Sequence, residues 1–366
     1  MRILSVVGTR PQLIKAAALE PALRARFDTR LIDTGQHYDD AMAGTFFREL
    51  GLRPPDHDLD VGGGSGSDQT GRMLIALDPI LREAPPDAVL VYGDTNTTLA
   101  AALVAAKHGI QIAHVEAGLR SFDRRMPEEI NRVVADHLSR WLFAPTPAAV
   151  ANLRTEGIVD GVVEVGDVLQ DLVARMAAEV RDPAVLAAVG EDLRPGRYLL
   201  ATIHRAENRE VAAMEAWAAL LARIARPDRP VILALHPGTR AALDAAGIRL
   251  SPEIRVIEPQ GYRTTLGLQL HAAAVVTDSG GVQREAAWLH VPCLVLRGTT
   301  EWVEAVADSG GSMVVVGLDA ERARRELDRL APLDDAGHAA ERRAAEVRVE
   351  PAGAVDAIVE TLAGAG

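Results

Sequence analysis

Three carboxylates in the first half of the chain stand where strands end or a helix begins. Asp94 follows "AVLVYG", whose continuous apolar run is that of a strand buried on both faces, and four Thr or Asn residues come after it. Glu116 follows "QIAHV", and Glu128 lies in the first turn of a helix opened by Pro127 in "MPEEINR". Singly, each has an ordinary explanation. Asp94 and its Thr neighbours would cap the next helix, and the two Glu residues would be solvated surface acids. Three carboxylates converging on one place repel one another and lift at least one pKa toward a value useful for proton transfer. They form a candidate acid/base cluster if the fold converges them.

A second set of residues suits an anion. Arg10 and Lys15 follow the apolar run "RILSVVG", and Lys15 is one of only two lysines, with Lys107, among 39 basic residues. In so Arg-rich a chain, a Lys in the first turns after a strand reads as a choice of the compact ammonium, with chance as the alternative. In "TDSGGVQREA" a strand runs directly into Ser279, Gly280 and Gly281 and then a helix. Free N–H groups and the positive helix end there would receive a phosphate, and glycines let it approach the backbone. Glu285, about one turn in, would accept ribose hydroxyls. The alternative is a Ser N-cap on a tight turn. Other polar residues at strand ends are Gln36, His37, His114, His204, Arg205, Glu207, His236 and Asp278. The ten histidines show no metal-binding spacing, and "VVGTRPQ" lacks the dinucleotide fingerprint G-x-G-x-x-G, so neither a metal nor a nicotinamide cofactor is expected.

These residues need elements to hold them, and the chain supplies an alternation of strand and helix. In the first half, strands are expected at "RILSVVG", "DTRLIDTG", "AVLVY", "QIAHVEAG" and "WLFA". Helices are expected at "PQLIKAAALEPALRAR", "YDDAMAGTFFREL", "QTGRMLIALDPILREA", from Leu99 to Lys107 and at "MPEEINRVVADHLS". The stretch "PPDHDLDVGGGSGSD" reads as a loop with a flexible Gly/Ser linker, since no strand precedes it and no Gly-Lys-Ser/Thr follows. A second alternation runs from "RYLLATIHRAEN" to "SMVVVG", and the last segment, "AGAVDAIVETLAG", is helical. Repeated βα units imply parallel sheets, right-handed crossovers and ligands beyond the carboxyl ends of the strands. The 366 residues fit two doubly wound α/β domains with a cleft between them.

Composition narrows the function further. Apolar residues at 48% support packed cores, and a net charge of -12 argues against a nucleic-acid surface. There is no apolar run of membrane-spanning length, no signal-peptide core at the start, and a single cysteine, Cys293, in apolar surroundings. A cytoplasmic protein without membrane or nucleic-acid partners is expected.

The chain resembles the non-hydrolysing UDP-N-acetylglucosamine 2-epimerases. The resemblance rests on "GTRPQLIK", "TGQHYDD", "QTGRML", "VYGDTNTTLA", "HVEAGLRSFDRRMPEEINR", "LFAPT", "HRAEN", "LHPGTR", "EPQGY", "TDSGGVQREA" and "RGTTEWVEA", in family order over residues 1 to about 316. It implies a glycosyltransferase-B-like fold of two Rossmann-like domains with the active site in the interdomain cleft, and a homodimer. The N-terminal domain would span 1–167 and be joined by a terminal helix at 350–366, and the UDP-binding domain would span 168–349. It also implies a reaction without a cofactor: the C2 proton is removed, UDP leaves C1 to give 2-acetamidoglucal, and UDP returns with a proton added on the other face. In that reading Asp94, Glu116 and Glu128 are the acid/base group, while His204, Arg10 and Lys15 stabilise the departing diphosphate. Ser279, Gly280 and Gly281 bind phosphate, Glu285 the ribose and Gln260 the uracil. Gln36, His37 and Arg72 would bind a second, regulatory UDP-GlcNAc, unless Gln36 and His37 only cap the helix starting near Tyr38.

The chain departs from the family at Gln12, where Glu is common, at Gly298, where an acid is frequent, and at "VRVEPAGAVDA", which replaces a Tyr-Gly-Asp-Gly segment. Together with "GDVLQD", Gln12 also resembles relatives acting on UDP-2,3-diacetamido-2,3-dideoxy-glucuronate. A retaining glycosyltransferase shares the fold but has no use for three acids, and a hydrolysing epimerase differs around "HVEAGLR".

Overall fold

In the computed structural model the described residues are 1–36, 49–235, 237–298, 300, 302, 306–307, 309–333 and 336–364. They form two compact units, Met1–Leu172 with Glu350–Gly366, and Val173–Val349. Each is a parallel sheet with helices, the architecture that the alternation predicts.

The first unit begins with β1 (Arg2–Val7), α1 (Arg10–Arg26), β2 (Asp28–Asp33), β3 (His57–Asp58), α2 (Gly66–Glu83), β4 (Ala88–Tyr92) and α3 (Asn96–Lys107). It continues with β5 (Gln111–Val115), α4 (Pro127–Leu138), β6 (Trp141–Ala144), α5 (Pro147–Thr155), β7 (Val162–Glu164) and α6 (Val168–Ala177), within which the chain leaves the unit. The strand order is β3-β2-β1-β4-β5-β6-β7, with every pairing parallel. One face of β1 and β4 is buried because α2 and α3 pack Met73, Leu77, Leu81, Ala101 and Val104 against Val6, Val89 and Val91.

The second unit holds β8 (Leu199–Thr202), α7 (Val211–Ile224), β9 (Val231–Ala234), α8 (Pro237–Ala246), β10 (Ile254–Ile257), α9 (Tyr262–His271) and β11 (Ala274–Thr277). It closes with α10 (Gly280–Trp288), β12 (Cys293–Val295), β13 (Met313–Val315), α11 (Ala320–Leu330) and α12 (Ala336–Glu346). Its order is β10-β9-β8-β11-β12-β13, again parallel. Trp217, Leu220 and Leu221 of α7 and Leu327 of α11 fill one face of this sheet. Cys293 is fully buried, and burial pushes its thiol up to about 12, so it serves as a core residue.

The last helix, α13 (Ala354–Ala363), packs on α1 of the first unit. Asp171, within "GDVLQD", fastens it by accepting the Gly353 and Val355 amides at 3.0 and 2.9 Å.

The segment from Pro54 to Asp68 corrects the sequence reading. His57 and Asp58 pair with β2, and α2 begins at Gly66 rather than Gln69. The Ser65 hydroxyl caps α2 by accepting the Asp68 amide at 3.2 Å, and Arg72 donates to the Gly62 and Gly63 carbonyls, so the Gly/Ser run is held rather than free. The helix expected at "YDDAMAGTFFREL" lies almost wholly outside the described residues. Among the described residues no helix is long and apolar enough to cross a membrane.

Candidate active site

Ligands of doubly wound sheets bind where the strand order reverses, beyond the carboxyl ends of the two strands at that point. In the first sheet that point lies between β1 and β4, and in the second between β8 and β11. Arg10 and Lys15 follow β1, Asp94 follows β4, His204 follows β8, and Ser279 follows β11. The order of the strands puts both residue sets at a switch point.

At the first one two of the carboxylates are each bound to a cation, Glu116 to Lys15 and Asp94 to Arg132. Lys15 Nζ donates to Glu116 Oε1 at 2.7 Å, with the two side chains only 8% and 11% exposed. Gly93, the residue before Asp94, lies beneath this pair. A Cβ added there would stand 3.2 Å from Lys15 Nζ and 3.6 Å from Glu116 Oε1, and its φ of +61° is one that glycine adopts without cost. Glu116 itself takes φ +73°, a left-handed conformation that costs a non-glycine residue on the order of 1 kcal/mol or more. Its amide and that of Ala117 both donate to Phe143 O at 3.1 Å, which holds the turn in place.

α4 completes the group. Arg132 binds the Asp94 carboxylate, and Asn131 Nδ2 donates to Asp94 O at 2.9 Å. Glu128 is three and four residues before these two and so lies on the same helix face, one turn along. Its side chain is exposed and makes no hydrogen bond among the described residues. The neighbouring Glu129 is turned inward, where it accepts the Ser121 and Phe122 amides at 2.9 and 3.0 Å. Pro127 starts the helix so that one of two adjacent acids faces solvent and the other braces a turn.

His114 is not exposed at all. Its Nδ1 is 2.7 Å from Asp136 Oδ1 and its Nε2 is 2.7 Å from Gly93 O. Asp136 also meets Arg120 at 2.7 Å and accepts the Gly118 amide at 3.1 Å. Burial disfavours charge on Asp136, but His114 and Arg120 outweigh it and hold the carboxyl below its ordinary range.

Gln12 is buried beside these residues. Its Nε2 donates to Tyr92 O at 2.9 Å and to Thr98 Oγ1 at 3.0 Å, while the Thr98 hydroxyl donates to the same carbonyl at 2.7 Å. A carboxylate at position 12 would face Tyr92 O with no proton to give, which accounts for an amide in this chain. Gln36 Oε1 accepts the Thr97 amide at 3.0 Å and the Thr97 hydroxyl at 2.8 Å, so its side chain caps α3, while the helix expected near Tyr38 lies outside the described residues. Arg72 pairs with Asp68 at 2.9 Å, and His37 lies outside the described residues.

At the second switch point Asp278 organises the turn. Fully buried, it accepts the His204 amide at 3.1 Å, the Arg205 amide at 3.0 Å and Asn208 Nδ2 at 2.7 Å. It also stands 3.3 Å from His204 Nδ1, while the His204 ring is more than half exposed. Burial works against the charge on Asp278, and His204, Asn208 and the Arg205 amide outweigh it, so its carboxyl lies below the ordinary range.

Ser279 caps α10 through its hydroxyl, which accepts the Val282 amide at 3.5 Å. A Cβ at Gly281 would meet nothing nearer than Ser279 Oγ at 4.0 Å. Among the described residues the packing therefore leaves open space where a Gly281 side chain would stand. Glu285 is buried and accepts Gln269 Nε2 at 2.5 Å. Gln260, between β10 and α9, donates through Nε2 to Glu258 O at 2.8 Å. His236 is outside the described residues. Among the described residues no three His, Cys, Asp or Glu side chains form a group able to hold a metal.

Sequence reasoning missed Arg132, Asp136 and the organising role of Asp278. Arg132 lies four residues after Glu128, a spacing that points to a pair within the helix, yet its partners are Asp94 and Glu129.

A profile of the family described as UDP-N-acetylglucosamine 2-epimerase matches residues 21–357. A Methanococcus maripaludis protein named UDP-N-acetylglucosamine 2-epimerase homolog is 43% identical over 341 residues, 92% of this chain and 94% of that one. The UDP-2,3-diacetamido-2,3-dideoxy-D-glucuronate 2-epimerase of Pseudomonas aeruginosa is also 43% identical, over 87% of this chain and 88% of its own. The crystal structure of Methanocaldococcus jannaschii UDP-GlcNAc 2-epimerase in complex with UDP-GlcNAc and UDP matches with a TM-score of 0.87 at 37% identity, covering 100% of both chains. The chain belongs to the UDP-N-acetylglucosamine 2-epimerase family.

Proposed function

We propose that the protein interconverts UDP-GlcNAc and UDP-ManNAc by inverting C2 of the sugar. One observation carries this reading: Glu116 with Lys15 stands directly over Gly93, beside Asp94 and its partner Arg132. The C2 carbon bears nitrogen rather than a hydroxyl, so oxidation there is no easy route and proton removal is the better one. A carboxylate takes the C2 proton, the C2–H electrons form the C1–C2 double bond, and the C1–O electrons leave with UDP. Return of UDP to C1, with a proton delivered to the other face of C2, gives the epimer.

Asp94, Glu116 and Glu128 act as the acid/base group. His204, Arg10 and Lys15 stabilise the charge that develops on the diphosphate, and Asp278 orients His204. The α10 turn of Ser279, Gly280 and Gly281 takes phosphate, Glu285 the ribose and Gln260 the uracil. A redox cofactor has no part, since hydrogen leaves C2 as a proton.

Incubation with UDP-GlcNAc in D2O, followed by NMR, tests the reading. UDP-ManNAc at equilibrium with substrate, with deuterium at C2 of both sugars, is the expected result. Epimerisation without deuterium, or free sugar with UDP, overturns it.

A second substrate, UDP-2,3-diacetamido-2,3-dideoxy-glucuronate, is favoured by the equal identity to the Pseudomonas aeruginosa enzyme that carries that name. The ratio of kcat/KM on the two sugars decides between them. In the regulatory part of the reading, a second UDP-GlcNAc bound through Gln36, His37 and Arg72 accelerates turnover of UDP-ManNAc. Arg72→Ala removes this acceleration. The protein acts as a homodimer, and light scattering reports its mass.

A further inference from the structure

Asp94 and Glu116 belong to different strand–helix turns, and the chain must hold those turns in fixed register for one sugar carbon to meet both acids. Gly93 is where they are joined. Its amide donates to Val115 O at 2.9 Å, and its carbonyl lies 2.7 Å from His114 Nε2. Both polar groups of the residue before Asp94 are thus bound to the strand that ends in Glu116. A carbonyl can only accept, so His114 Nε2 carries the proton and donates.

Behind the ring, Nδ1 meets Asp136, which also takes the Gly118 amide two residues beyond Glu116. Asp136 is in turn fixed by Arg120, and Arg120 makes a two-pronged contact with Glu156 at 2.7 Å for both prongs. The network runs from Gly93 to Gly118, spans both acid-bearing turns, and is buried from His114 through Arg120.

We infer that His114 is a positioning residue for the epimerase reaction, and that its Nε2–Gly93 hydrogen bond sets Asp94 against Glu116. The inference rests on the functional reading above. Small displacements of a reacting group are costly, since an error of about 1 Å can lower a rate on the order of 10²-fold. Substrate binding is affected far less, because His114 is fully buried and offers nothing to the nucleotide.

The two ring nitrogens can be separated. In His114→Gln the amide nitrogen falls near Nε2 and retains the bond to Gly93 O, but the Asp136 contact is lost. In His114→Asn the amide falls near Nδ1, retaining Asp136 and losing Gly93. A residue that merely filled space would also favour the larger Gln, so His114→Met, which fills the volume but donates to neither partner, is the control. Space filling predicts a kcat like that of Gln, and a positioning role predicts the loss seen in Asn. The expected result is a kcat within about threefold of wild type for Gln and a fall on the order of 10- to 100-fold for Asn, with KM changed less than about threefold in both.

Hydrogen exchange of the Gly93–Thr97 amides, followed by mass spectrometry, reads the same bracket without turnover. Faster exchange in Asn than in Gln supports the inference. Equal loss of kcat in Gln and Asn, an active Asn variant, a Met variant as active as Gln, or equal exchange overturns it. If the wild type converts no UDP-sugar, the functional reading fails separately, and the exchange comparison alone decides whether His114 holds the turn.

Discussion

Replacing Lys15 by methionine removes a cation from a pair whose partners are 8% and 11% exposed and 2.7 Å apart. At an effective dielectric of about 20, two unit charges at that separation attract by roughly 6 kcal/mol. Desolvation of both groups offsets much of this, so the intact pair adds little to stability. Its disruption is another matter, because Glu116 would remain buried without its cation; removal of one partner of such a pair costs about 3–5 kcal/mol. In a unit of this size each kcal/mol moves the midpoint by roughly 2–4 °C, so Lys15→Met should melt about 6–20 °C lower. The double variant Lys15→Met/Glu116→Gln leaves no buried charge and should regain most of the loss, to within about 1–2 kcal/mol of wild type, while both variants lose epimerase activity on the order of 10²-fold or more. Thermal unfolding by circular dichroism, beside NMR assays of turnover, measures both quantities. A Lys15→Met midpoint within about 2 °C of wild type, or a double variant as unstable as the sum of the single ones, would refute the reasoning.

Three further outcomes follow from the same geometry. His204→Ala should lower kcat on the order of 10²-fold while calorimetry shows UDP affinity changed only severalfold, because the diphosphate charge that this residue meets develops as the C1–O bond breaks. Asp278 titrates below the ordinary carboxylate value of about 3.9, so its stabilisation is complete above that value and is lost as pH falls through the lower, folded-state pKa. Acid unfolding of Asp278→Asn should lack that component, although the variant is less stable at neutral pH. Gln12→Glu should lower the melting temperature at pH 8, at a cost of about 1–3 kcal/mol, because a carboxylate cannot donate to Tyr92 O. The loss should shrink toward pH 5 as the carboxyl gains a proton, and melting curves across pH measure it.

The sequence by itself determined what is local. Continuous apolar runs fixed β1, β4 and β5, Pro127 fixed the start of α4, and Ser279 before two glycines fixed that of α10, because burial on both faces and the satisfaction of helix ends are written in neighbouring residues. The rule that ligands lie beyond strand ends then marked Asp94, Glu116, His204 and Ser279 without a structure. Tertiary structure alone decided which strand ends adjoin, since strand order follows from how whole helices pack on the sheets. It also decided who pairs with whom. Lys15 meets Glu116 across 101 residues, and Arg132 meets Asp94 across 38 rather than the acid four residues away in its own helix. Glu128 and Glu129 are the same residue type at adjacent positions, yet only the packing of α4 against the Ser121 turn makes one solvent-facing and the other structural. Gln36 likewise caps α3 at Thr97, a partner 61 residues away that no local spacing could name. Charge and hydrogen-bond partners are chosen by distance in space, and that distance is set only after the apolar faces have closed.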